Sequence, residues 1–273
     1  MTPSVIFRWN PSDMEELLAT CERDADLKPL IERHVPKGSR ILEAGCGLAR
    51  WVRYMKDRGW NIAGLEYSRE TVGNVNSAWP DLDVRYGDCA AAPFEDSSFD
   101  CVLSFGVVEH WPEGPQKPLL EIRRLLRSGG IAIITAPCMN TIRKVKRALW
   151  WDEIIRFPRS TAARLIKGKK KPMTRLSSGY RYHVFPAYGE FHEYRMTPAE
   201  FEKEVREAGL QIVEHVPTAH LEGVYHELNP YGLLIGYKNH RFFPSRFAAW
   251  LDGRLARTRY FHPHFQAIIA RKP

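Results

Sequence analysis

The sequence predicts an α/β fold: a doubly wound, mostly parallel sheet with helices on both faces. Three observations predict it. Short buried-strand patterns alternate with helical patterns from residue 40 to residue 135, a glycine pair follows directly on the first strand, and acids stand at the ends of the second and third. The chain has 273 residues, 44% of them apolar, enough core for one large domain with additions.

Residues 13–31 carry apolar side chains at helical spacing (Met14, Leu17, Leu18, Cys21, Ala25, Leu27), with Ser12 as expected N-cap. Pro36-Lys37-Gly38-Ser39 is turn chemistry, and Arg40 to Ala44 is the first strand, leading into Gly45-Cys46-Gly47. A helix over Ala49 to Arg58 stops at Gly59. Asn61 to Glu66 is the second strand, Ser68 to Ala78 a helix, Leu82 to Tyr86 the third strand and Phe99 to Ser104 the fourth. Pro118 to Leu126 reads as a helix closed by Ser128-Gly129-Gly130, followed by a fifth strand over Ile131 to Thr135. Later, Thr197-Pro198-Ala199-Glu200 is a capping box with Pro at N1, and its helix ends at Gly209. Leu210 to Val216 and Phe265 to Ala270 are the last two strands.

No apolar run reaches the roughly 18 residues that cross a bilayer, and residues 1–10 lack the layout of a secretory signal. The five cysteines (Cys21, Cys46, Cys89, Cys101, Cys138) are scattered, without a Cys-x-x-Cys pair. These features point to a cytoplasmic protein with reduced thiols and no metal centre. The net charge of +8 is local: residues 139–179 hold twelve Lys or Arg and two acids, a balance of +10, which leaves −2 for the remainder.

Gly45 and Gly47, after a buried strand, would let the main chain approach a nucleotide-like ligand at the carboxyl edge of the sheet; a plain structural turn explains them equally well. A dinucleotide fingerprint wants a third glycine at position 50, where the chain has Arg50. Glu66, 19 residues after Gly47, stands where a carboxylate accepts both ribose hydroxyls, and Asp88 in Tyr86-Gly87-Asp88-Cys89 where one accepts from an adenine amino group. Either acid alone could cap a helix; in register with the glycines they point to one ligand.

The ordered set Leu42-Glu43-Ala44-Gly45-Cys46-Gly47, Gly64-Leu65-Glu66-Tyr67-Ser68, Gly87-Asp88, Ser98-Phe99-Asp100, Val107-Val108-Glu109-His110 and Leu125-Leu126-Arg127-Ser128-Gly129-Gly130 resembles the class I S-adenosylmethionine-dependent methyltransferases. The resemblance spans residues 38–137 and resumes at 196–213. It implies a Rossmann-like, seven-stranded sheet with an antiparallel last strand, and S-adenosyl-L-methionine as cofactor. By the same resemblance Gly45 and Gly47 lie under its methionine and ribose part, Glu66 takes the ribose hydroxyls, Asp88 and Cys89 the adenine, and Phe105 and Gly106 the methionine end; Glu43, Cys46 and Tyr67 are further candidates for cofactor binding. His110 is the candidate base, or else a residue that orders the loop. His192, with His183 and Tyr194, is a candidate at the acceptor side, where a packed aromatic loop is the competing account. Cys138 after the fifth strand is a weak candidate nucleophile, since a second cysteine motif is missing.

The organisation expected is a core over 1–138, a basic aromatic lid over 139–190, a return over 191–216, a second insert over 217–260 and a last core strand over 261–273. Both inserts leave from the carboxyl ends of strands and interleave aromatic residues with Arg and Lys. Together with Val108-Glu109-His110, the lid is similar to that of ubiquinone-pathway O-methyltransferases, which implies a small-molecule or lipid-linked acceptor methylated at oxygen; the basic aromatic composition of 139–179 points to a peripheral contact with an anionic membrane, a lid packed on its own core being the competing account. An RNA methyltransferase using the basic insert and a non-catalytic binder with the cofactor fold are the competing readings. No separate RNA-binding module is visible, so nucleic acid is not the expected partner.

Overall fold

A computed structural model describes residues 9–149, 183–187, 190–229 and 232–273. Its main sheet has seven strands: β1 (Arg40–Ala44), β2 (Asn61–Glu66), β3 (Asp83–Tyr86), β4 (Phe99–Phe105), β5 (Leu126–Pro137), β8 (Gln211–Thr218) and β11 (Phe265–Arg271). Their spatial order is β3-β2-β1-β4-β5-β11-β8, and β11 runs antiparallel to both neighbours while the other pairings are parallel. The order reverses between β1 and β4, so their carboxyl ends open the crevice where α/β sheets bind ligands.

Strict alternation along the strands divides the core between the two faces. Leu42, Leu65, Val102, Ile134 and Ile268 point to one face, where α5 (Gln116–Leu125) and α7 (Pro198–Glu207) bury Leu119, Ile122, Phe201 and Val205. Ile41, Ile62, Leu103, Ile133 and Ile269 point to the other, covered by α1 (Met14–Arg23), α2 (Leu27–His34), α3 (Arg50–Lys56) and α4 (Arg69–Ala78). The Thr197–Glu200 capping box is formed, and Ser68 caps α4 through the Thr71 N–H.

Three local expectations are corrected. The helix over 13–31 is two helices, because the Asp24 carboxylate captures the N–H groups of Asp26 (3.1 Å) and Leu27 (2.7 Å) and ends the first run. Ser12 is not its N-cap: Asn10 caps a 3-10 turn, Pro11–Asp13, through the Ser12 N–H. Ser128-Gly129-Gly130 does not close a helix but belongs to β5, where Gly129 N–H donates to Lys272 O and Lys272 N–H to Gly130 O.

Among the described residues, two hairpins stand outside the main sheet. β6 (His183–Ala187) pairs with β7 (Glu190–Arg195), and β9 (Ile235–Lys238) with β10 (Arg241–Pro244). α6 (Thr141–Ala148) follows β5, α8 (His220–Leu228) follows β8, and α9 (Arg246–Leu255) follows β10. The aromatic part of the first insert, from Trp150, lies outside the described residues.

Candidate functional site

At the carboxyl end of β1 the chain turns through Gly45 (φ +81°), whose N–H donates to Leu65 O (2.8 Å), as does the Cys46 N–H (2.9 Å). A Cβ at Gly45 would lie 2.5 Å from Val107 Cγ2, so the sequence requires glycine for both conformation and space. Gly47 (φ +53°) donates its N–H to Glu66 Oε2 (3.0 Å), and the Trp9 ring lies over its open face, 3.0 Å from where a Cβ would stand.

Glu66 accepts the Ser68 N–H on its other oxygen (2.8 Å), so one carboxylate ties the turn after β1 to the turn after β2. Burial raises its pKa, against the N–H groups of Ser68, Gly47 and Tyr67. Glu43, one strand position before Ala44, is buried too. Burial pushes it up to about 8, opposed by Arg50 and the Val52 N–H and reinforced by Glu66, and its Oε2 has no hydrogen-bond partner. Asp88 is half-buried and accepts the Ala90 N–H (2.8 Å), which holds the turn beyond β3. Tyr67 packs on Tyr86 with ring centroids 5.9 Å apart. Cys46 and Cys89 are buried with thiols raised by desolvation; Cys46 Sγ faces Gly64 across the core and Cys89 packs with Leu65 and Ala92. Any role of these two at the edge falls to their main chain.

β4 ends at Phe105 and Gly106 (φ +69°), whose N–H donates to Thr135 Oγ1 (3.0 Å), and the chain enters a 3-10 turn over Val108–His110. His110 Nδ1 lies 2.8 Å from the main-chain oxygen of His192 on β7. A carbonyl only accepts, so Nδ1 carries the proton and Nε2 is the atom able to receive one. Burial lowers the His110 pKa, against the main-chain oxygen of His192 and the charge of Glu193, and the imidazole is therefore neutral at neutral pH. The rings of His110 and His192 meet edge to face at 5.5 Å. Two candidates 82 positions apart are thus brought together.

Glu109 was not singled out as a site residue, although it adjoins His110 in sequence. Its side chain is 1% exposed, Oε1 lies 3.9 Å from His110 Nε2, Oε2 has no hydrogen-bond partner, and burial with the charge of Glu193 holds it well above the carboxylate range. Trp9 was also missed, and nothing in the sequence around it signals its place on Gly47. Tyr194 is fully buried and donates to Pro112 O, a staple between β7 and the turn after β4. His183 pairs with Arg195 in the β6–β7 ladder, and its side chain lies outside the described residues. Cys138 is fully buried with its thiol pushed up to about 12 by desolvation, the opposite of a nucleophile's environment.

Among the described residues, Glu222, His226 and His264 could hold a cation. The chemistry opposes it: Arg143 donates to His264 Nδ1 (2.6 Å), which leaves the neutral ring's proton on Nε2, the atom facing Glu222 (3.7 Å). A cavity of about 170 Å³ lined by Arg40, Lys56, Trp60 and Asp83 opens at the amino ends of the strands, opposite the glycine turns.

A family described as methyltransferase domain matches residues 42–134, the stretch from β1 to β5. A probable S-adenosylmethionine-dependent methyltransferase of Mycolicibacterium smegmatis is 35% identical over 105 residues, 38% of this chain and 40% of the relative. A malonyl-[acyl-carrier protein] O-methyltransferase of Enterobacter lignolyticus is 28% identical over 44% of this chain and 47% of its own. The chain thus spans less than half the length of these curated relatives. An S-adenosylmethionine-dependent methyltransferase from Mesorhizobium loti shares the fold, with a TM-score of 0.53 at 15% identity over 90% of this chain and 97% of that one. S-adenosylmethionine is the cofactor that goes with such a domain, and residues 42–134 of this chain match one.

Proposed function

We propose that the protein transfers the methyl group of S-adenosylmethionine to an oxygen of a small-molecule or lipid-linked acceptor, in the cytoplasm, with residues 139–179 touching an anionic membrane. The observation that carries the reading is the single carboxylate of Glu66 joining the Gly45–Gly47 turn to the β2 turn, with Val107, three residues before His110, against Gly45. The residues present suit the cofactor. It brings an ammonium and a sulfonium, and this edge holds two buried carboxyls raised by desolvation, Glu43 and Glu66, one with an unpartnered oxygen. Such acids gain from a cation what burial took from them.

When bound, the cofactor supplies an electrophilic methyl for in-line displacement. The chain's own part is positioning and proton handling. Glu66 would keep acceptor lone pairs for the ribose hydroxyls while the Gly47 and Ser68 N–H groups hold it in place; the turns of Gly45 and Gly47, with Phe105 and Gly106, would receive the methionine end. Asp88 and the Cys89 main chain would hold the adenine. His110, with its proton fixed on Nδ1 by the His192 carbonyl, takes a hydroxyl proton of the acceptor at Nε2, and His192 lines the acceptor side. The named O-methyltransferase among the relatives supports oxygen as the methylated atom. The lid organisation of the sequence, core 1–138 with inserts over 139–190 and 217–260, supports an acceptor larger than the cofactor crevice.

The test is calorimetric titration with S-adenosylmethionine, followed by a screen of metabolite and lipid extracts with methyl-labelled cofactor. Stoichiometric binding and label in an extractable acceptor are expected. Absence of cofactor binding would refute the reading, and label appearing only in RNA would replace the acceptor class.

A further inference from the structure

Hairpin β9–β10 and helix α9 close on a small core of Val224, Ile235 and Ala248, which occupies only one face of them. On the other face Phe243, Phe247 and Trp250 are 52%, 57% and 58% exposed, and Leu233, which precedes β9, is 81% exposed. Soluble surfaces seldom gather large apolar side chains in this way. Arg246, Trp250, Arg254 and Arg257 recur at helical spacing, all exposed, and Arg241 lies over the Phe243 ring at 5.6 Å. The one acid of α9, Asp252, is turned inward to His262 (2.8 Å). A row of arginines framing Trp and Phe, with the acid withdrawn, is the composition of a helix lying in a lipid interface.

We propose that this face of α9 and β10 docks on an anionic lipid bilayer. Charge complementarity names the occupant: the exposed charges are all cationic, and the apolar side chains among them need an apolar medium. Phe247 and Trp250 already stack on each other, with centroids 5.7 Å apart and planes 29° apart, and offer no slot for a nucleic-acid base. The face is tied to the ligand edge. The hairpin tip meets the N-terminal segment through Asn239–Glu16 (3.0 Å) and His240–Asp13 (3.6 Å), close in sequence to the Trp9 that lies over Gly47. At its other end, α8 packs so tightly on the segment before β11 that a Cβ at Gly223 would overlap His262 O. Docking there would bring a membrane to the acceptor side of the sheet. This consequence rests on the lipid-acceptor reading, whereas the docking itself does not.

The experiment sediments the full chain with vesicles of phosphatidylcholine alone, or mixed with phosphatidylglycerol, at low and high salt. Wild type should pellet with the anionic vesicles, less so but still measurably at high salt. Arg246→Glu, Arg254→Glu and Arg257→Glu together should weaken partitioning about a hundredfold at low salt. Phe247→Ser with Trp250→Ser should remove the salt-resistant part. S-adenosylmethionine titration checks that both variants remain folded, and separates failure of docking from failure of the methyltransferase reading. Wild type left in the supernatant with anionic vesicles would overturn the proposal. So would wild-type pelleting by both variants while Lys169→Glu, Lys170→Glu and Lys171→Glu abolish it, which assigns docking to the basic segment. A dimer in solution that Trp250→Ser dissolves would overturn it in favour of a second copy, and salt-sensitive RNA binding lost in the arginine variant in favour of a nucleic acid.

Discussion

Replacing Glu43 by Gln should change how stability depends on pH. The buried carboxyl titrates at about 8 in the folded protein against an ordinary 4.5. Between those values the folded chain keeps a proton that the unfolded chain has lost, so stability falls by about 1.4 kcal/mol for each pH unit of rise. The contribution is complete below the unfolded value and gone once pH has passed the folded one, in all about 5 kcal/mol. Glutamine keeps the shape without a group that ionises, so the variant should gain on wild type steadily across that window. Urea unfolding of both proteins at several pH values between about 5 and 8 measures it. A difference independent of pH would refute the reasoning, because it would mean that water reaches the carboxyl and that it ionises normally. The same proton gives a second readout. A cationic cofactor beside Glu43 should expel it, so binding near pH 7 should release roughly 0.9 proton in wild type and none from this position in the variant, as calorimetry in buffers of different ionisation enthalpy would show.

Glu66→Ala leaves the Gly47 and Ser68 N–H groups and two ribose hydroxyls without their acceptor, and should weaken cofactor binding by about 1–3 kcal/mol in titration; wild-type affinity would remove Glu66 from the site. His110→Ala should lower kcat roughly a hundredfold with cofactor affinity nearly unchanged, and a loss of affinity at constant kcat would indicate a binding role instead. Because burial lowers the His110 pKa, the acid limb of kcat should lie below 6.5, and the stability that the neutral ring contributes is present above that value and lost as pH falls through the folded pKa. Arg143→Ala strips the buried Glu227 of one cation (2.7 Å) and Cys138 O of its donor (2.6 Å), and should cost about 3–5 kcal/mol in denaturant unfolding. A small change there would mean that Lys146 alone neutralises Glu227.

Most strands of the sheet and the turns at its carboxyl edge are legible in local patterns. Asn61–Glu66 has the bounds its apolar pattern predicts, the Thr197 box caps α7 as its spacing requires, and Glu66 reaches Gly47 across the 19 positions that separate them. These features are local, since burial imprints its period on each strand and helix, and glycines mark where the main chain must bend left-handed. Even the break at Asp24 was local in origin, a side chain competing with the helix for two N–H groups, although the periodic pattern on either side masked it. The meetings of distant segments are not legible in that way. Gly129 and Gly130 are strand because Lys272 pairs with them; His110 has a defined tautomer because β7 brings the His192 carbonyl to it; and Trp9 covers Gly47 from a segment with no periodicity to read. The exposed face of α9 was written in the sequence as aromatic and basic residues, but their outward direction depended on which face the small Val224–Ile235–Ala248 core would take. A pattern records that a side chain is to be buried or not; what it is buried against is set by segments distant in sequence that meet it in the fold.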